Sequence, residues 1–340
     1  MTLRLSRRGA LVLLAAALGV AFAASAGDYA AAVASYTPGI SGDAFATEAL
    51  GAPSGEGLFG GSFDTATLGV SGTVTLELAN AAGDGPGTDL IVCENPFLLL
   101  ETTLSFAEAC FVEVSSDNQH FARFPVTYGG PLGPFAPFEC AEMSWYKGLA
   151  GVRPVITKVP GGPDPLDVVR AGGDAFDFAD LADDPLVLSG DVDLGNIVWV
   201  RLTDIDSGTV NDDSGKAIWD CGIDSISSTD IDAVIAVNNH GNQVPGRPQV
   251  ELSLDAAGLL TLRIFDIDGL KDVKKGLEAA IDTTSVPFVA LLPFFALTQI
   301  DTYGVTLVTG PVPPGVFPYE LRVGAVDKQG LAGGDALQLF

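Results

Sequence analysis

Apolar and polar residues alternate along much of this chain, and the alternation predicts strands. A strand over 70–78 places Val74, Leu76 and Leu78 on one face, and a run over 110–115 does the same with Cys110, Val112 and Val114. The stretch NIVWVRL at 196–202 sets Val198, Val200 and Leu202 on one side, and a closing strand follows over 230–237. Successive side chains of a strand point to opposite faces, so a period of two marks a sheet with one buried side. Leu90-Ile91-Val92-Cys93 is instead continuously apolar. Beyond Pro248 the period of two returns in Val250, Leu252 and Leu254, in Leu260, Leu262 and Ile264, and in Tyr319, Leu321 and Val323. Gly, Pro and Asp clusters separate these runs and supply the turns.

A one-faced strand needs a second layer to bury its apolar side, so the pattern predicts an all-β protein of packed sheets. The first unit, residues 27–240, reads as a jelly-roll-like β-sandwich organised around 84–116. A polar linker over 241–248 leads to a smaller immunoglobulin-like β-sandwich over 249–340. Two segments interrupt this pattern. Residues 271–281 fit either a turn or two of helix or a charged strand. Residues 286–297, VPFVALLPFFAL, are apolar but broken by Pro287 and Pro293, too short to cross a bilayer, and are expected as buried strand pairs, with an exposed patch that docks a partner or membrane as the alternative.

Residues 1–26 read as a secretory signal: Arg4, Arg7 and Arg8 precede an apolar run over 11–22, and Ala24-Ser25-Ala26 offers a small-residue cleavage site. Ser6-Arg7-Arg8 partly resembles a twin-arginine signal. The expected destination is export, to the cell surface, the extracellular space or a periplasm, with no transmembrane segment in the mature chain. The formal charge of −26 disfavours nucleic acid and anionic lipid and favours divalent cations held by oxygen ligands. The same charge also keeps an exported protein soluble.

Calcium takes six to eight oxygens from flexible loops. Asp84, Asp89 and Glu94 border one acidic loop, Asp204, Asp206, Asp212 and Asp213 crowd a second, and Asp232 stands in the closing strand. None matches the full pattern of a helix-loop-helix calcium loop, and each acid alternatively accepts N–H bonds in its own turn. Calcium is thus the expected cofactor. The four cysteines, Cys93, Cys110, Cys140 and Cys221, allow three pairings in an oxidising compartment. The favoured one joins Cys93 to Cys110, on consecutive strands, and Cys140 to Cys221.

The connection over 121–151 is long and rich in Pro, Gly and aromatics, and its Trp145 and Tyr146 offer flat rings for a sugar or a partner protein. The alternative is that they plug the end of the sheets. Paired acids such as Glu94 with Asp206, or Glu108 with Glu139, would be needed for glycoside chemistry. No Ser has a nucleophile-elbow context, and His120 sits in a hairpin turn. A binding or adhesion protein for a glycan, a surface polymer or another surface protein is the leading expectation, with a structural spacer next.

Several ordered segments, Ala49-Leu50-Gly51-Ala52-Pro53, Asp84-Gly85-Pro86-Gly87-Thr88-Asp89, Glu94-Asn95-Pro96-Phe97, Phe111-Val112-Glu113-Val114-Ser115, Gly173-Asp174-Ala175-Phe176-Asp177 and Asp230-Ile231-Asp232-Ala233-Val234, resemble a family of bacterial secreted cell-surface proteins without assigned activity. The resemblance spans about residues 28–239. The part beyond Pro248 is similar to bacterial immunoglobulin-like or fibronectin-like modules, which serve as spacers or adhesive units.

Overall fold

The computed structural model of the chain describes residues 26–99, 104–135, 141–157, 163–221, 228–241, 247–266, 270, 273, 276–281, 284–300, 302, 304–311, 320–326 and 332–338. Residues 1–25 of the expected 1–26 signal, most of the expected linker and Cys140 lie outside the described residues. The protein is all-β, built from several antiparallel sheets, and among the described residues no helix is long and apolar enough to cross a membrane.

The largest sheet runs Ala30–Thr37, Thr73–Ala82, Ile197–Asp204, Cys110–Ser115 and Leu149–Ala150, with Ala122–Arg123 also paired to Cys110–Ser115. The expected alternation is present except at Val198, where a register shift between Ile197 and Trp199 puts Ile197 in the core instead. Val74, Leu76, Leu78, Val112, Val114, Val200 and Leu202 enter one core, while Arg201 lies on the other face near Glu113 and over the Phe121 ring. The second sheet is short: Leu90–Cys93 sits between Asp174–Phe176 and Ala233–Ala236. Leu90, Val92, Phe176, Val234 and Ala236 face the first sheet's core, and Ile91, Cys93, Ala233 and Ile235 pack outward against Val155, Leu166 and Val168. Burial on both faces explains why Leu90–Cys93 is apolar without alternation.

That arrangement overturns the expected Cys93–Cys110 disulfide, and the expected Cys140–Cys221 pair falls outside the described residues. Cys93 and Cys110 are buried free thiols, and no disulfide forms among the described residues. The chain changes sheets between them: Cys93 pairs with Ala233 and points outward, whereas Cys110 pairs with Asp204 in the large sheet and points into the main core. The two strands are not neighbours, and two short strands, Phe97–Leu98 and Leu104–Phe106, lie between them in the chain. Cys221 is buried, and its thiol donates to the Ser105 carbonyl oxygen at 3.4 Å.

The closing strand also divides. Asp230–Ile231 pairs with Ala66–Thr67, and Ala233–Ala236 joins the short sheet. Between them Asp232 accepts from the Ser54 backbone N–H at 3.0 Å on both oxygens, fixing the switch.

The C-terminal part comprises two four-stranded sheets. One runs Gln249–Leu254, Leu259–Phe265, Gly304–Pro311 and Phe295–Ile300; the other runs Thr284–Pro287, Leu277–Ile281, Glu320–Val326 and Ala332–Gln338. Val250, Leu252, Leu260, Leu262, Leu321 and Val323 share their core. Residues 277–281 are therefore strand rather than helix. Residues 286–297 differ from the expectation of buried strand pairs: two 3₁₀ turns lead into an edge strand, and Leu297 and Ile300 are exposed while Leu291 is buried.

The two parts meet at a polar, buried seam. Arg322 donates from Nη1 to the Val168 carbonyl at 2.6 Å and from Nη2 to that of Gly173 at 2.7 Å, and its Nε reaches Glu320 at 3.0 Å. Arg153 forms an ion pair with the same Glu320. Gly87, at φ +80°, lies so close that an added Cβ would stand 2.5 Å from the Val250 carbonyl oxygen, and Thr88 Oγ1 donates to Asp335 at 3.3 Å.

Candidate metal centre

The loop that reaches this seam, Asp84 to Asp89, also gathers carboxylates. One oxygen each of Asp84, Asp89 and Asp177 lies within 4.8 Å of the others, and among the described residues they form the one such group of three. Asp89 is fully buried, Asp177 half-buried and Asp84 exposed, so the group opens from the core toward solvent.

Asp89 is the anchor. Its Oδ1 accepts from the Gly85 N–H at 3.0 Å and from Asn238 Nδ2 at 3.3 Å, and its Oδ2 accepts from the Phe178 N–H at 2.8 Å. Its backbone N–H donates to the Phe176 carbonyl, and its carbonyl accepts from the Val237 N–H. One residue thus joins its own loop to both neighbouring strands of the short sheet. Asp177 caps the 3₁₀ turn Phe178–Leu181, with Oδ1 accepting from the Ala179 N–H at 2.8 Å.

Burial pushes the Asp89 carboxyl up to about 9, and the adjacent Asp177 and Asp84 add to the shift against the bonds from Phe178 and Gly85. Asp177 rises to about 7, through burial and then the charges of Asp180, Asp84 and Glu251. Asp335, buried across the seam, is raised to about 8 by burial and by the neighbouring Asp177. Crowded carboxylates of one sign either hold protons or take up a cation. Two carboxylates from one loop and a third from the end of a neighbouring strand offer hard oxygen ligands of the kind a divalent ion takes.

The other acids expected as metal ligands are dispersed. Asp204 accepts from the Ser71 and Thr229 N–H groups. Asp212 accepts from Ser214, Lys216 and Tyr128, and Asp213 from Val126 and Arg123. Asp206 is half-buried, and its backbone carbonyl accepts from Thr209. Asp232 is held by Ser54 as described. Glu94 lies apart from Asp84 and Asp89: buried, with Oε1 accepting from the Asp230 N–H at 2.7 Å, beside the charges of Glu108 and Asp230. The missing third member was Asp177. Its signal in the sequence is an Asp two residues before Ala179 at the start of a short turn, which reads as a cap and not as a ligand.

Tyr146 is fully buried, and its hydroxyl donates to the Trp219 carbonyl at 2.8 Å. Trp145 is half-buried and stacks on Phe135 at 5.8 Å between centroids. Both belong to a packed aromatic end of the N-terminal sheets, with Tyr128 and Trp219. His120 is exposed and bonded to Asp117 at 2.8 Å. No family model, curated protein or solved structure matches this chain.

Proposed function

We propose that this is an exported structural module of a bacterial cell surface or matrix, a jelly-roll-like sandwich carrying an immunoglobulin-like one, stiffened by calcium. The observation that carries the reading is the convergence of Asp84, Asp89 and Asp177 beside the seam between the two parts. A cation there would neutralise the loop that packs on Val250 and Asp335, so that occupancy and seam rigidity rise together. The signal-like first 26 residues, the resemblance to secreted cell-surface proteins and the acidic composition support export. The burial of Tyr146 favours a spacer over a ligand platform at that end of the sheets.

Calorimetric titration of chelated protein with calcium, followed by thermal melting, tests this. Saturable binding and a raised melting temperature are expected, both lost in Asp177→Asn, which retains the Oδ1 cap to Ala179. Absence of saturable heat and of any melting shift would overturn the calcium role.

A further inference from the structure

A second feature lies away from the seam, where the turn before Ala46–Ala49, the 62–67 segment and Asp230 enclose an open cavity of about 520 Å3. Two Phe rings rim it, Phe45 at 61% and Phe63 at 99% exposure. Four carboxylates line it, from Asp43, Glu48, Asp64 and Asp230, and no Lys, Arg or His is among its described lining residues. Local bonds hold the acids in place. Asp43 accepts from the Phe45 N–H at 2.7 Å and the Thr67 N–H at 3.3 Å, Asp64 accepts from Ser62 Oγ at 2.7 Å, and Asp230 accepts from Thr67 Oγ1.

The wall behind Asp230 and Asn95 holds buried polar atoms without hydrogen-bond partners. Glu94, 2% exposed, precedes Asn95 and accepts from the Asp230 N–H through Oε1, but its Oε2 is buried with no hydrogen-bond partner. Asn95 Oδ1, on a residue that lines the cavity, is likewise a buried acceptor without a donor. Burial holds the Glu94 carboxyl far above the usual carboxylate range, with the Glu108 and Asp230 charges adding to the effect. Among its described lining residues the site therefore has acceptors, four carboxylates and aromatic faces, and no positive group.

We infer that this cavity receives an organic cation, an alkylammonium or guanidinium group, seated between the Phe45 and Phe63 rings with its N–H groups on the carboxylates. Aromatic faces attract such cations, and charge-assisted hydrogen bonds to carboxylates are stronger than neutral ones. An acidic cavity also concentrates cations before contact. The group arrives either on a free polyamine or on a lysine or arginine side chain of a partner protein. The site is independent of the proposed calcium centre.

The test is calorimetric titration of the full chain at about 0.15 M salt, where diffuse attraction is screened beyond about 8 Å. The probes are cadaverine, a blocked glycyl-lysyl-glycine peptide, and the neutral 1,5-pentanediol. Saturable 1:1 binding of at least one amine is expected, with affinity reduced about fivefold or more by Phe63→Ala and by Glu48→Gln and unchanged by Asp177→Asn. Both altered side chains are exposed, so the variants are expected to melt with the parent protein. Binding of cadaverine alone assigns the free polyamine, and binding of the peptide alone assigns a protein-borne side chain. Absence of saturable amine binding, affinities unchanged in both variants, or equal binding of the diol would each overturn the inference. Failure of the calcium titration with these results intact would strike only the calcium role.

Discussion

Arg322 and Glu320, two residues apart on one strand, are joined through Nε to Oε2 at 3.0 Å and Nη2 to Oε1 at 3.2 Å, and neither is more than 2% exposed. Arg153 meets the same carboxylate from the N-terminal part. Glu320→Ala would leave two guanidiniums buried in the seam without their shared counter-charge. Breaking a buried ion pair from one side costs about 3–5 kcal/mol. The urea midpoint should fall accordingly, and an unchanged midpoint would show that water already reaches the seam.

The acid cluster predicts an inverted pH dependence. Asp89 at about 9, Asp335 at about 8 and Asp177 at about 7 all stand above the unfolded value of about 3.9. The folded state then binds more protons than the unfolded state between these limits, so stability falls as pH rises. This stabilisation is complete below about pH 4 and is lost through about pH 9. Chelated protein should have a higher urea midpoint at about pH 5 than at about pH 8.5, and calcium should restore most of the loss at the higher pH. Stability that rises with pH under chelation would contradict the assignment.

The strands were legible because the period of two survives wherever one face is buried: Val112 and Val114, or Leu260 and Leu262, sit in the cores their spacing predicts. Sheet membership was not legible. Cys93 and Cys110 lie on successive runs, yet the order of strands in space sends them to different sheets and opposite faces, a long-range fact that local patterning does not encode. The candidate metal centre was half visible. Asp84 and Asp89 share a loop, whereas Asp177 arrives through the pairing of Asp174–Phe176 with Leu90–Cys93. Asp212 and Asp213 looked equivalent to them in sequence, but among the described residues no third acid joins them within ligand distance.

Cys93 and Cys110 are buried thiols whose pKa values burial holds well above the ordinary thiol range. The thiolate is the reactive form, so both should resist alkylation in native protein and react once it is unfolded. Peptide mapping after alkylation in denaturant should recover each as a singly alkylated cysteine without prior reduction. Recovery of a Cys93–Cys110 cross-linked peptide would refute the sheet assignment that separates them.

Gly87 brings the acidic loop against the C-terminal sheets. Its φ of +80° suits a residue without Cβ, and an added Cβ would meet the Val250 carbonyl oxygen at 2.5 Å, with the Gly334 carbonyl oxygen and the Asp335 Cβ each at 2.9 Å. These are backbone neighbours and a buried side chain, so relief requires the loop itself to move. A non-glycine residue held in the left-handed region costs about 1–3 kcal/mol, and the lack of space adds to that. Gly87→Ala should therefore lower the melting temperature and, by withdrawing Asp84 and Asp89 from Asp177, weaken calcium binding at least tenfold in calorimetric titration. Gly258, also at positive φ but with nothing within 4 Å of an added Cβ, supplies the control: Gly258→Ala carries the same backbone strain without the loss of calcium affinity.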